Sequence, residues 1–303
     1  MKLPIACTLG QTCFIQNYVD DDPGPGAEDF TCGPLTYNGH KGTDIALPSL
    51  AAMRAGVAVL AAAPGTVLAL RDGMPDIAAN APDAPDISGR ECGNGVLVAN
   101  GDGWQTQYCH MKRGSISVRK GEKVSAGTVL GQVGLSGDTE FPHVHLSVRH
   151  DGKVVDPFAP DTARPPACGT PPTDTLWQPP IAYVPGGLVN IGFATAVPGF
   201  DAVKAGLPSP RDLPADAPAL VLWAQVYGGR AGDKLGLRIV APDGTVLVQQ
   251  LVTLDRAQAR LFRAIGKRSP ADGWPPGPYI ALVQLQRDGN TLGQQRTSVE
   301  IGQ

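Results

Sequence analysis

Residues 141–148 read Phe-Pro-His-Val-His-Leu-Ser-Val. The alternation is that of a β-strand, whose successive side chains point to opposite faces. Val144 and Leu146 then turn toward a core, and His143 and His145 share the other face. Working outward, Trp104–His110 is a second run of strand length, entered through Asn100-Gly101-Asp102-Gly103, a tight hairpin turn. The same parity puts Trp104, Thr106, Tyr108 and His110 on one face. Gly56–Leu70, Gly95–Ala99, Val124–Val133 and Val144–Val148 are further apolar runs punctuated by glycine. Residues 71–90 are polar, with Pro and Asp, and read as a surface loop. Gly (38) and Pro (29) exceed a fifth of the 303 residues, which disfavours long helices. The expected class is mainly β, built from antiparallel sheet.

The chain divides at a Pro-rich stretch. Residues 1–168 hold all six cysteines and all five histidines, 169–187 have the composition of a semi-rigid linker, and 188–303 carry neither residue. Beyond the linker, Ala219–Tyr227, Lys234–Val240, Thr245–Val252, Tyr279–Arg287 and Gln294–Ile301 are strand-like, and Asp255–Gly266 is read as strand too. Turn signals such as Ala241-Pro-Asp-Gly and Asp288-Gly-Asn separate them. Short strands at this spacing predict an immunoglobulin-like β-sandwich. With no histidine or cysteine, it suits a binding or spacer module.

Charge and cysteine usage narrow the setting. The formal net charge is −3 with no basic run, which argues against nucleic acid. The longest apolar stretch, Gly56 to Leu70, is broken by Pro64-Gly65 and too short for a membrane span. The opening MKLPIACTLG lacks the apolar core of a signal peptide, so an exported chain would be written here in mature form. Cys7, Cys13, Cys32, Cys92, Cys109 and Cys168 form no CxxC pair and read as disulfides of an oxidising compartment, periplasmic or extracellular. Six cysteines allow 15 connectivities, and the sequence does not choose among them.

Chemistry concentrates in three short motifs. His40-Lys-Gly-Thr-Asp44 has glycines at 39 and 42 that disfavour a helix. It reads as a loop entering a strand, with both side chains turned toward one point. His143 and His145 put two imidazoles on one strand face, a surface able to bind metal. Tyr108-Cys-His110 closes the preceding hairpin. His150, in Arg149-His-Asp-Gly, belongs to a turn and reads as a solvated side chain.

The segments GHKGTDIA (39–46), VAVLAAAPGTVLAL (57–70), GNGVLVANGDGWQTQYCHM (93–111) and VRKGEKVSAGTVLGQVGLSGDTEFPHVHLSVRHDGKVVDP (118–157) occur in an order that resembles the LytM/lysostaphin-type zinc metallopeptidases. The resemblance runs from Tyr37 to Pro157 and leaves the rest of the chain uncovered. It implies one zinc ion per chain held by His40, Asp44 and His145, with His143 and His110 beside it. Two imidazoles and a carboxylate leave a fourth position for water, whose pKa zinc lowers from 15.7 to about 7. The resemblance further implies cleavage of peptide cross-links in peptidoglycan stems, with His143 as general base and His110 as partner. Either direct cross-links from D-Ala to diaminopimelate or glycine bridges would suit, the direct links being favoured. The alternatives are a non-catalytic scaffold or activator of another wall hydrolase, and a secreted protease acting on proteins. Three features depart from the family pattern: Tyr37-Asn38 before the first motif, Cys109 within the second, and the insertion at 71–90.

Overall fold

The computed structural model describes residues 1–161, 168 and 174–302. The chain forms two compact units, Met1–Tyr183 and Val184–Gln303. Both are built of strands, with two helices of six residues each among the described residues.

The first unit contains β1 (Phe14–Asn17), β2 (Thr43–Ala46), α1 (Leu50–Ala55), β3 (Ala58–Leu60), β4 (Gly65–Arg71), β5 (Asn94–Gly101), β6 (Trp104–Met111), β7 (Lys123–Val124), β8 (Val129–Gln132), β9 (His143–His150) and β10 (Lys153–Val154). One antiparallel sheet runs β1-β2-β9-β6-β5-β4-β7, with β10 also paired to β9, while β3 and β8 form a small second sheet. The expected run Gly56–Leu70 is therefore two strands in different sheets, parted at Pro64, which cannot donate to a ladder. Val124–Val133 divides in the same way at Gly127, whose φ is +93°. The β5–β6 hairpin turns at Asp102 and Gly103, both at positive φ. Residues 72–90 form no strand or helix.

Alternation then fixes the faces. Val144, Leu146 and Val148 of β9 are buried with Val96, Val98, Tyr108 and Ile45 in a single core. The opposite face of β9 carries His143, His145, Ser147 and Arg149. Register sets Asp44 of β2 and Cys109 of β6 level with His145, so three central strands bring their side chains abreast.

Of the stretch expected as linker, residues 169–173 lie outside the described residues. Residues 176–183 pack on the first unit: Trp177 is fully buried, and the Tyr183 hydroxyl donates to Asp29 Oδ2 at 2.8 Å. The Pro-rich composition hid four large apolar side chains, Leu176, Trp177, Ile181 and Tyr183, which the core takes up.

The second unit holds β11 (Gly187–Ala194), α2 (Phe200–Ala205), β12 (Asp212–Leu213), β13 (Ala219–Gly229), β14 (Lys234–Val240), β15 (Val246–Thr253), β16 (Gln258–Arg268), β17 (Gly277–Arg287) and β18 (Asn290–Ile301). Sheets β11-β13-β16 and β12-β18-β17-β14-β15 enclose one core, as in an immunoglobulin-like sandwich. The segment around Asp255–Gly266 is a strand, β16.

Candidate metal centre

The site forms where the loop before β2, the row β2–β9–β6 and the segment 134–141 converge. His40 lies in the loop, just after Gly39 at φ +76°. Its Nδ1 donates to the carbonyl of Tyr18, which fixes the tautomer and leaves the Nε2 lone pair facing inward. Asp44, in β2, is buried. Its Oδ2 lies 3.2 Å from His40 Nε2 and accepts a 2.9 Å bond from Asn17 Nδ2, while its Oδ1 is 2.8 Å from His145 Nδ1 and 3.3 Å from His143 Nε2. His40 Nε2 and His145 Nδ1 are 3.2 Å apart.

Two groups of three side chains bring possible ligand atoms within 4.8 Å of one another: His40, Asp44 and His145, and His110, His143 and His145. All five residues singled out in the sequence thus meet in one cluster. His150 does not join it; at the far end of β9 it stacks on Trp104 and its Nε2 donates to the carbonyl of Asp102.

His110 reaches the cluster by a route that strand parity does not give. Asn94 pairs with Met111 and Val96 with Tyr108, so Cys109 and His110 together oppose Gly95: a β-bulge. His110 itself has φ +61°, an uncommon conformation for a non-glycine residue. The expectation that His110 shares the face of Trp104, Thr106 and Tyr108 is corrected accordingly. Tyr108 points into the core, its hydroxyl accepting from Ala62 N at 2.7 Å, whereas His110 turns out to sit 4.6 Å from the ring of His143.

Each outer histidine is oriented by a carbonyl. His110 Nδ1 donates to Ser136 O at 2.8 Å, and His143 Nδ1 to Phe141 O at 2.9 Å with Thr139 Oγ1 at 3.1 Å. Both Nε2 atoms are left free of those bonds. Electrostatics follow from burial and proximity. Burial alone would raise Asp44, but His40, then His143 and the hydrogen bonds from the histidines, hold its carboxyl well below the usual carboxylate range. Burial, reinforced by His143 and His145, holds His110 well below the usual imidazole value, so it is neutral at neutral pH. Burial likewise lowers His145 against the pull of Asp44. In His40 burial, the largest single influence, is outweighed by the charge and hydrogen bond of Asp44 together with the Tyr18 carbonyl and Asp20, which raise it.

Several contributors were not singled out in the sequence. Asn17 and the Tyr18 carbonyl come from a segment more than twenty residues before His40, and Ser136 and Thr139 lack any distinguishing motif. Gly42 was seen only as a helix breaker. A Cβ there would lie 2.5 Å from His145 Nε2 and 2.7 Å from Leu146 O, so the imidazole occupies the space a side chain would need.

The cluster opens into a cleft of about 470 Å³ lined by Tyr37, Lys41, Gln107, Ser147 and Arg149 and by Glu91, Cys92 and Asp138. Among the described residues neither Lys41 nor Arg149 forms an ion pair; Arg149 Nη1 instead donates to Gln107 Oε1 at 2.8 Å.

Comparison with known proteins places the same region. Residues 38–157 match the sequence model of peptidase family M23. Over 117 residues the chain is 32% identical to peptidoglycan DD-endopeptidase ShyA of Vibrio cholerae, a match covering 39% of this chain and 22% of the relative. Over 68 residues it is 37% identical to cell division protein DipM of Caulobacter vibrioides, covering 22% of this chain and 11% of that protein. The chain thus spans no more than about a fifth of the length of these relatives. Among solved structures, the catalytic domain of the prophage-encoded M23 protein EnpA from Enterococcus faecalis, in a mutant form, is 26% identical with a TM-score of 0.34, the likeness covering 52% of this chain and 95% of that one.

Proposed function

We propose that the chain, whose residues 38–157 match the sequence model of peptidase family M23, is a zinc-dependent endopeptidase that cuts peptide cross-links of bacterial peptidoglycan. The observation that carries the metal is the spacing of the donors. Bonds of about 2.0–2.2 Å in tetrahedral geometry separate neighbouring zinc ligands by about 3.3 Å. With one donor atom from each, His40, Asp44 and His145 lie within 4.8 Å of one another; His40 Nε2 and His145 Nδ1 are 3.2 Å apart, and each is within 3.2 Å of one of the two Asp44 oxygens. We assign these three as the ligands and His143 and His110 as the catalytic pair.

Zinc held there would polarise the scissile carbonyl and lower the pKa of a water. The protein supplies the rest. Asp44 arrives ionised, and the Tyr18 carbonyl keeps His40 in the tautomer that presents Nε2. His143, with Nδ1–H tied to Phe141 O, offers Nε2 to take the proton from the attacking water. His110, neutral and tied to Ser136 O, offers Nε2 to accept the second proton of that water as the new carboxylate forms, while the first passes from His143 to the leaving amine as the C–N bond breaks. A purely scaffolding domain has no use for two buried, oriented imidazoles that hold no metal.

The cleft bears on the substrate. Lys41 and Arg149 present positive charge with no carboxylate partner among the described residues, and Glu91 and Asp138 line the same cleft with negative charge. Direct cross-links, whose diaminopimelate carries free carboxylate and amine groups, complement both signs; glycine bridges offer neither. Three disulfides fit a site of action outside the cytoplasm, and no helix among the described residues is long and apolar enough to cross a membrane. Among the described residues the sandwich has no cluster of possible metal ligands of this kind, and it is assigned to wall or partner binding.

The test pairs metal analysis with digestion. Purified protein should contain about one zinc per chain and release cross-linked stem peptides from sacculi, read by mass spectrometry, while leaving casein intact. His143→Ala should keep its zinc and lose at least about 10²-fold in rate. Zinc-free protein that digests sacculi, or His143→Ala acting at the wild-type rate, would refute the assignment.

A further inference from the structure

The bulge that delivers His110 is held by a covalent link the family resemblance does not require. Cys109, the residue before His110, is bonded to Cys92, and Cys92 contributes the carbonyl that accepts His110 N–H at 2.9 Å. Bond and hydrogen bond close a small ring around the His110 backbone. The carbonyl of His110 accepts from Gly134 N at 3.0 Å and its imidazole donates to Ser136 O, so every polar anchor of this residue lies outside its own strand ladder.

Cys92 belongs to no strand; it sits in the turn 90–93 that leads into β5. That turn is pressed against the segment carrying Ser136. Asp138 N donates to Glu91 O at 2.7 Å. A Cβ on Gly93 would lie 2.3 Å from Ser136 O, and one on Gly137 would lie 2.2 Å from Glu91 O. Positive φ at both glycines, +63° and +83°, permits this contact. The disulfide thus ties together the turn, the bulge and the segment that orients the imidazole. Without it, alternation along β6 favours the extended conformation at residue 110, which carries the ring to the core side, away from His143.

We infer that the Cys92–Cys109 disulfide is a positioning element for His110: it holds residue 110 in its left-handed conformation, and so keeps the imidazole in the catalytic cleft. The kinetic consequence rests on the hydrolysis proposed above; the conformational one does not. Both cysteines line the cleft, and Cys92 Sγ also accepts from Gln107 Nε2 at 3.4 Å. A dithiol that opens the bond would transfer two electrons and two protons, leaving two thiols and itself becoming a disulfide.

The experiment compares the full chain with Cys92→Ala/Cys109→Ala, using Cys7→Ala/Cys13→Ala as control. In wild type the His110 Nδ1–H, bonded to Ser136 O, should give a slowly exchanging imidazole resonance in ¹H–¹⁵N spectra, assigned by its loss in His110→Gln. In the 92/109 variant that resonance should vanish into solvent exchange. At the same time kcat on a cross-linked stem peptide should fall about 10- to 100-fold, with KM and bound zinc within twofold. The control should change none of these. A retained resonance, or a kcat within threefold of wild type, overturns the proposal. Wild-type protein that hydrolyses nothing refutes the peptidase assignment instead, and the resonance still decides the positioning. If the 92/109 variant does not fold, graded reduction of wild type with thiol mapping replaces it: loss of kcat must track opening of Cys92–Cys109, and tracking another pair overturns the proposal.

Discussion

Gly42→Ala is the sharpest perturbation of the metal centre, because Gly42 touches neither the proposed metal nor the substrate chemistry. The position does not use glycine's left-handed freedom; it uses the missing Cβ. An added Cβ would stand 2.5 Å from His145 Nε2, 2.6 Å from its Cε1 and 2.7 Å from Leu146 O, against about 3.4 Å for an ordinary contact. Leu146 O belongs to the β2–β9 ladder and cannot retreat without opening it, so the imidazole must move by about 0.9 Å. A donor displaced by that amount loses its 2.8 Å spacing to Asp44 Oδ1 and its 3.2 Å spacing to His40 Nε2. Disturbing ligand orientation typically costs about 10- to 100-fold in metal affinity. Misplacement of about 1 Å costs of order 10²-fold in rate. Overpacking should also lower stability by about 1–3 kcal/mol. Zinc affinity is measured by competition with a chromogenic chelator, rate by stem-peptide release, and folding by thermal unfolding of the metal-free protein. A Gly42→Ala protein that binds zinc within threefold of wild type and digests at an equal rate would refute the assignment of His145 as a ligand in this geometry.

Two other buried groups give stability predictions. Asp156 is 4% exposed, its Oδ1 accepts from Phe158 N, and burial, with Asp21 and Asp29 adding to it, pushes its carboxyl up to about 8. The folded state therefore keeps a proton that the unfolded chain releases near pH 4. Its contribution is complete below about pH 4 and is lost as pH rises toward 8, at about 1.4 kcal/mol per pH unit. Asp156→Asn should flatten that decline and be more stable than wild type at pH 8; equal pH slopes in urea titrations of the two proteins would contradict it. In the second unit, Arg287 is bidentate to the buried Asp233 (2.8 and 2.7 Å) and also donates to the carbonyls of Pro185 and Gly228. Arg287→Ala strands that carboxylate and should destabilise the sandwich by about 3–5 kcal/mol, read as a lowered unfolding midpoint of that unit with peptide hydrolysis unchanged; an unshifted midpoint would show the pair to be dispensable.

Much of the site was legible because its signals are local. His143 and His145 share a face by strand alternation alone, and Val144 and Leu146 are buried as that alternation requires. Asn100 to Gly103 forms the hairpin its residues predict. What was not legible depends on segments distant in the chain. The parity rule failed at His110 because a bulge interrupts it, and that bulge is held by Cys92, Gly134 and Ser136. Trp177 lay hidden in a Pro-rich stretch because composition does not tell whether an apolar side chain will find a core. Asn17, 27 residues before Asp44, has no motif of its own and is identified only by its bond to that carboxylate.

The sequence by itself determined the strand-rich class and the absence of histidine and cysteine beyond Cys168, and it singled out the five side chains that meet in the cluster. Periodicity, turn chemistry and residue type are all encoded over a few neighbouring positions. Tertiary structure alone decided the pairing of Cys7 with Cys13, Cys32 with Cys168 and Cys92 with Cys109, and the tautomer and aim of each imidazole. It also decided the closeness of His40 and His145, 3.2 Å apart across a separation of 105 residues. Such distances are set by sheet register and by which carbonyls the fold brings to each ring, and neither is specified by the residues immediately around the histidines.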